Sequence, residues 1–145
     1  MFLTAHARVV DHLARELEDE TDLPLAWYGV LLYLEEAPTG RLRMHELADS
    51  LLLSRSAVTR FIDRMVDAGL ARRMVCDADR RGTFVEATDD GRVRFRAAAP
   101  VHLAGIARHF TSLLSDEEAQ VLACAMARIA QATRPGVSAK ASAPQ

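Results

Sequence analysis

Residues 54–91 read SRSAVTRFIDRMVDAGLARRMVCDADRRGTFVEATDDG, and this stretch decides the fold. Ser54 precedes a run in which Val58, Phe61, Ile62 and Met65 fall at the i, i+3, i+4, i+7 spacing of one buried helix face. A serine hydroxyl there can accept a hydrogen bond from an unpaired backbone N–H of the first turn. The opposite face carries Ser56, Thr59, Arg60, Asp63 and Arg64, with Ser56, Arg60 and Arg64 in one i, i+4 row. Gly69 lies just past the last periodic position, where a left-handed residue closes a helix, and Leu70 follows as the apolar residue that packs back on the last turn. The stretch therefore opens with a short two-faced helix of a size that enters a major groove.

The flanking segments give this helix a setting. Upstream, residues 43–51 read RMHELADSL, with Met44, Leu47, Ala48 and Leu51 as a short apolar stripe, and Leu52 and Leu53 lead straight to Ser54. A short helix, a tight turn and a second helix make a helix-turn-helix, in which the second helix reads bases and the first braces it against the backbone. Gly40-Arg41-Leu42 ahead of it can supply a short strand or turn. Downstream, residues 71–76 and 83–88 have the composition of strands, and Asp77-Ala78-Asp79-Arg80-Arg81-Gly82 between them has turn chemistry. Asp79 can pair with a neighbouring Arg and stiffen the tip, and Arg80 or Arg81 can then enter the narrow, negative minor groove.

Taken singly, a charged outer helix face is ordinary, and a hairpin with solvated charges contributes little. In succession the pieces make a winged helix the better reading. The predicted fold is mainly α: a winged helix-turn-helix domain with a two-stranded wing, plus N- and C-terminal helices forming a dimerisation lobe. On that fold the DNA-binding candidates are Arg43, Ser54, Arg55, Ser56, Thr59, Arg60, Arg64, Arg80 and Arg81, with Asp79 as the wing stabiliser. Arg can bond guanine bidentately, Ser and Thr are tolerant hydrogen-bonders, and a helix N-terminus attracts phosphate.

SAVTRFIDRM, then GL, a basic strand, DADRRGTFVEAT and DDGR resemble the MarR family of bacterial transcriptional regulators. The likeness extends through PVHLAGIARHF and LLSDEE and covers about residues 8–132. It implies a winged-helix homodimer on a palindromic operator, released in many members by a small, often aromatic, ligand. The resemblance places effectors in the groove between the dimer and reading lobes. His12, Trp27 and Tyr28 are the candidate contacts, and an aromatic or phenolic carboxylate is the candidate ligand, although a Trp on an apolar stripe more often serves the core. Oxidant-sensing members place a reactive cysteine near the N-terminus, and this chain has none there.

Bulk composition fits this reading. The chain has 145 residues, half of them apolar and 26% charged, as in a soluble globular domain. Its net charge of −2 is unevenly spread: residues 1–40 carry −6, residues 41–94 carry +2 and residues 95–145 carry +2. Local field, rather than net charge, is what binds phosphate. No apolar run is long enough to span a bilayer, and MFLTAHARVVDHLAREL lacks the features of a signal peptide, so the expected location is the cytoplasm. Cys76 and Cys124 form no CxxC pair and sit among no metal-ligand spacing, so both are expected to be buried free thiols.

Elsewhere, residues 2–20 should form a helix with Val9, Val10, Leu13 and Leu17 inside, and residues 24–36 a second with Leu25, Trp27, Val30, Leu31 and Leu34. A long helix is expected from about Asp89 to Leu114, with Phe95, Ala99, His102, Ile106, His109 and Leu113 on one stripe and Leu103, Phe110 and Leu114 widening it. Pro100 should kink or break it. Ser115-Asp116-Glu117-Glu118 caps a last helix carrying Val121, Leu122, Ala125 and Ile129. The expected organisation is one domain over 1–133, with the winged helix at about 38–90, dimerisation helices at about 1–22 and 100–133, and a tail at 134–145.

The expected partners are double-stranded DNA, a second copy of the chain and a candidate small-molecule effector, with no membrane. No cofactor, metal or catalytic residue is expected. His102 and His109 are seven apart, whereas metal ligands on a helix prefer i, i+3 or i+4. The sequence has no nucleophile elbow, P-loop or metal-binding helix motif, and Ser54 and Ser56 lack a placed His–acid pair, which speaks against a hydrolase or transferase. A winged-helix module that acts through protein partners, without ligand response, is the alternative.

Overall fold

The computed structural model describes residues 1–75 and 83–133. Its elements run α1 (Phe2–Thr21), α2 (Leu25–Glu36), β1 (Arg41–Arg43), α3 (Met44–Leu51), α4 (Arg55–Asp67), β2 (Ala71–Val75), β3 (Thr83–Ala87), α5 (Asp89–His109), a single 3-10 turn (Thr111–Leu113) and α6 (Asp116–Ala132). The chain forms two compact units, the first Met1–Ile106 and the second starting at Ala107.

Each element of the first unit gives one apolar stripe to a common core. Leu17 comes from α1, Val30, Leu31 and Leu34 from α2, Leu47 from α3, Val58, Ile62 and Met65 from α4, and Val85 from β3; all are essentially inaccessible. The predicted inner face of α1 holds for Leu13 and Leu17, but Val10 is 38% exposed. Asp22 closes α1 in the left-handed conformation (φ 53°), with its N–H on the Glu18 carbonyl at 2.9 Å. Leu23 then drops into the core, and the Pro24 carbonyl accepts the Tyr28 N–H at 3.0 Å to start α2.

Three strands form one antiparallel sheet in the order β1-β3-β2. Arg41-Leu42-Arg43 pairs with Glu86-Val85-Phe84, so the segment read as strand or turn is the sheet's third strand. The register Ala71↔Ala87, Arg73↔Val85, Met74↔Phe84 separates two faces. Ala71, Val85 and Ala87 meet the core, while Arg72, Met74, Phe84 and Glu86 point the other way.

Thr88 joins this sheet to α5. Its hydroxyl donates to the Gly69 carbonyl (2.6 Å) and accepts the Gly91 N–H (3.0 Å), and its own N–H reaches the Leu70 carbonyl (3.1 Å). A Cβ built on Gly91 would lie 2.1 Å from the Leu70 carbonyl oxygen, so no side chain fits there. Arg92 on α5 pairs with Glu35 of α2 at 2.7 Å. Near the other end of the helix, Gly105 lets α1 approach; a Cβ there would meet Leu13 at 2.8 Å.

One expectation for α5 is corrected. The helix ends at His109, because Phe110 takes φ −137° and a 3-10 turn follows, so it does not reach Leu114. Of the kink or break expected at Pro100, the break is absent, and the helix continues through the residue. The ring removes one donor and crowds one carbonyl of the preceding turn. In the second unit Ser115 caps α6: its hydroxyl accepts the Glu118 N–H at 3.3 Å, and the Glu118 carboxylate accepts the Ser115 N–H at 2.8 Å. The bond from the Ser115 N–H, with help from its hydroxyl, holds the Glu118 carboxyl below its usual range. Cys124 on α6 is exposed, contrary to the expected buried thiol, because no residue of α6 is buried. Cys76 and the tail from residue 134 lie outside the described residues.

An aromatic stack lies in the first unit. The Tyr28 and Phe95 rings stack with centroids 5.1 Å apart, and the His102 ring meets Tyr28 at 4.6 Å. His102 Nδ1 is buried without a hydrogen-bond partner among the described residues. Burial lowers the His102 pKa from its ordinary 6.5, so the folded state favours neutral imidazole. The unfolded chain takes up that proton first. Stability from this residue is therefore complete above 6.5 and is lost as pH falls from there towards the lowered folded value. The urea midpoint should drop between about pH 7.5 and about pH 5.5, and His102→Leu should make that slope shallower. Equal slopes in the two proteins would count against the assignment.

Candidate nucleic-acid interface

α4 is held by its caps and by its buried stripe. The Ser54 hydroxyl accepts the Ala57 N–H at 3.2 Å and lies 3.3 Å from the Ser56 hydroxyl. At the other end the Leu70 N–H reaches the Met65 carbonyl and the Gly69 N–H reaches Val66, both at 2.9 Å, with Gly69 at φ 74°. This is the Schellman closure expected at Gly69-Leu70. The same motif ends α3, where the Leu53 N–H reaches the Ala48 carbonyl at 3.0 Å. There the left-handed residue is Leu52 (φ 53°), whose side chain is 85% exposed. A Cβ in that conformation costs about 1–2 kcal/mol, which the turn between the two helices sustains.

With Val58, Ile62 and Met65 inside, Arg55, Ser56, Thr59, Arg60 and Arg64 are all exposed. The Thr59 hydroxyl donates to the Arg55 carbonyl at 2.8 Å and keeps its lone pairs available. Arg64 lies over the Phe61 ring at 5.8 Å, which spreads its guanidinium along the helix. Arg55, Arg60 and Arg64 have no carboxylate partner among the described residues. Such a row of donors can bond base edges and phosphates.

The sheet contributes on both faces. Arg73 points towards α4, where its guanidinium meets Asp63 at 2.6 Å and the Thr59 carbonyl at 3.3 Å. On the opposite face Arg43 and Arg41 sit 4.6 Å and 4.9 Å from the Phe84 ring centroid, and Arg72 pairs with Glu86. Arg43 also begins α3, with its N–H on the Glu46 carboxylate at 2.6 Å.

The structure thus brings Ser54, Arg55, Ser56, Thr59, Arg60 and Arg64 onto one helix, and sets Arg43 apart at the junction of β1 and α3. Asp79, Arg80 and Arg81 lie outside the described residues. Of the effector candidates, His12 is exposed on α1, Trp27 is half-buried on α2, and Tyr28 is buried in the aromatic stack. Among the described residues no cluster of His, Cys, Asp or Glu could hold a metal ion, and no helix is long and apolar enough to cross a membrane. Sequence reasoning missed Arg73 and Phe84. The alternation Ala71-Arg73-Val75 was a signal for Arg73, whereas the Phe84 stack needed the pairing with β1, which no local pattern announces.

Comparison with known proteins converges on one group. A family model described as the MarR family matches residues 21–82. AbsC from Streptomyces coelicolor, a MarR family transcriptional regulator, is 35% identical with TM-score 0.84, over 90% of this chain and 87% of that one. Sco3205 from the same organism, a MarR family regulator solved in complex with DNA, is 32% identical with TM-score 0.86, over 93% of this chain and 84% of that one. The transcriptional repressor MdtR of Bacillus subtilis is 33% identical over 64% of this chain, which spans 59% of MdtR.

Arg73→Ala should free Asp63 to repel phosphate and should loosen the sheet from α4. Through the exposed ion pair alone the stability loss should be at most about 1 kcal/mol, whereas affinity for duplex DNA should fall further. Restoration of affinity in the double variant Arg73→Ala/Asp63→Asn is the expected check by gel shift. If the double variant binds no better than Arg73→Ala, the clamp has no such role.

Proposed function

The chain belongs to the MarR family of transcriptional regulators, and on that premise we propose that it is a repressor that binds a palindromic operator as a homodimer. The observation that carries the reading is the division of α4. Val58, Ile62 and Met65 of one face are inside the core, and the other face offers Ser56, Arg60 and Arg64 without carboxylate partners among the described residues. In a major groove Arg60 bonds a base edge, while Arg55, near the helix N-terminus, and Arg43 meet phosphate. On sequence grounds Arg80 and Arg81 enter the minor groove. The DNA complex of Sco3205 supports DNA binding, and the name of MdtR supports repression. As the family resemblance implies, a small aromatic or phenolic ligand near His12, Trp27 and Tyr28 would release the DNA.

Homodimerisation is supported by apolar side chains that each unit leaves uncovered. Phe2 and Leu3 of α1 are 62% and 77% exposed, and Val121 and Ile129 of α6 are 64% and 54% exposed. A monomer gains nothing by showing such residues to water. Two copies would read half-sites about 34–36 Å apart.

Arg60→Ala should cost about 1–3 kcal/mol of binding and relax base preference at one position per half-site. Anisotropy titrations with single-base operator variants measure this, and unchanged discrimination counts against the assigned role. Deleting residues 1–20 should shift the protein from dimer towards monomer in light scattering. A stable dimer after the deletion would contradict the role given to α1.

A further inference from the structure

Along α4 runs an open groove lined by Leu53, Ala57, Arg60, Phe61, Asp63 and Arg64. Its floor is apolar: Leu53 is 39% exposed, and Ala57 and Phe61 are half-buried. Its rim is cationic. Asp63 is already paired with Arg73, whereas Arg60 and Arg64 have no carboxylate partner among the described residues. Holding phosphate would need only the arginines. The exposed leucine and half-buried alanine beside them call for a ligand with an apolar feature set among acceptors.

The major groove offers one such feature. Thymine carries a C5 methyl that packs on small apolar side chains, whereas cytosine, adenine and guanine present only polar groups and bare ring edges there. We propose that Leu53 and Ala57 read the methyl group of a thymine, beside a guanine bonded by Arg60; the inference rests on the DNA-reading role proposed above. Ala57 and Arg60 are three residues apart, about 4.5 Å along the helix axis. Successive bases on one strand rise about 3.4 Å. The methyl and the guanine therefore belong to neighbouring or next-neighbouring base pairs. Ala57 suits the task because its side chain is itself one methyl group, and a larger residue in the first turn would hold α4 away from the bases.

Deoxyuridine in place of thymidine tests this directly, because it removes the methyl and keeps every hydrogen-bonding group. Duplexes bound by the full-length protein are selected from a random pool. Each thymine of a half-site is then replaced in turn, and affinity is read by fluorescence anisotropy. One position per half-site should lose about fourfold, the worth of one buried methyl. In Leu53→Ala the thymine-to-uracil ratio at that position should fall towards one. Leu53 is partly exposed, so the variant should fold, and the substitution series on the unaltered protein stands without it. Equal affinity for thymine and uracil at every position, with the duplex still bound, overturns the methyl reading and leaves DNA binding intact. A fourfold ratio unchanged in Leu53→Ala assigns the methyl to another residue and overturns it too. If no duplex is selected or bound at low salt, the DNA-reading role falls, and this inference falls with it.

Discussion

Complete burial of Val58, Ile62 and Met65 governs how α4 can be used. Three inaccessible side chains on one stripe leave no freedom of rotation about the helix axis. Each contributes about 1.5–3 kcal/mol relative to exposure. A turn of one residue, about 100°, would drive polar or charged side chains into an apolar core, at a cost of several kcal/mol for each unpaired group. The polar row faces outward because the apolar one has nowhere else to go. The function of the exposed face thus follows from the packing of the hidden one.

Around that constraint the sheet works as a second fastening. Arg73 stands in line with Ala71 on the face turned to α4, a position that strand alternation reserves for core residues. A long side chain there can reach past the core edge to Asp63 and to the Thr59 carbonyl. The pair does two things at once: it ties the strand to the helix, and it neutralises a carboxylate that would otherwise stand among the arginines. On the opposite face, Phe84 gives Arg41 and Arg43 an apolar plane on which to lie extended.

Most of the fold was legible because its signals are local. The periodicity of Val58, Ile62 and Met65, the Ser54 and Ser115 caps and the Gly69-Leu70 closure each specify a structure within a few residues, and these appear as read, while Phe61 of the same stripe is only half-buried. What failed depended on distant partners. Pro100 offered a kink or a break on local grounds, and α5 continues through it without the break. Cys124 read as buried from its apolar neighbours, but α6 buries nothing within this chain. The third strand was ambiguous because Arg41-Leu42-Arg43 is too short to declare itself without Phe84, Val85 and Glu86 beside it. At the candidate interface the arginine row could be foreseen from spacing. The Arg73 clamp and the apolar floor at Leu53 and Ala57 could not, since both arise from where separate elements come to rest.

The missing side chain at Gly91 has a mechanical consequence. The first turn of α5 is seated directly on the backbone where α4 ends, and Thr88 bonds the two from three atoms. No cushion of flexible side chains separates them, and backbone is far stiffer than rotamers. The start of α5 and the end of α4 are therefore tied backbone to backbone, and neither can shift without the other.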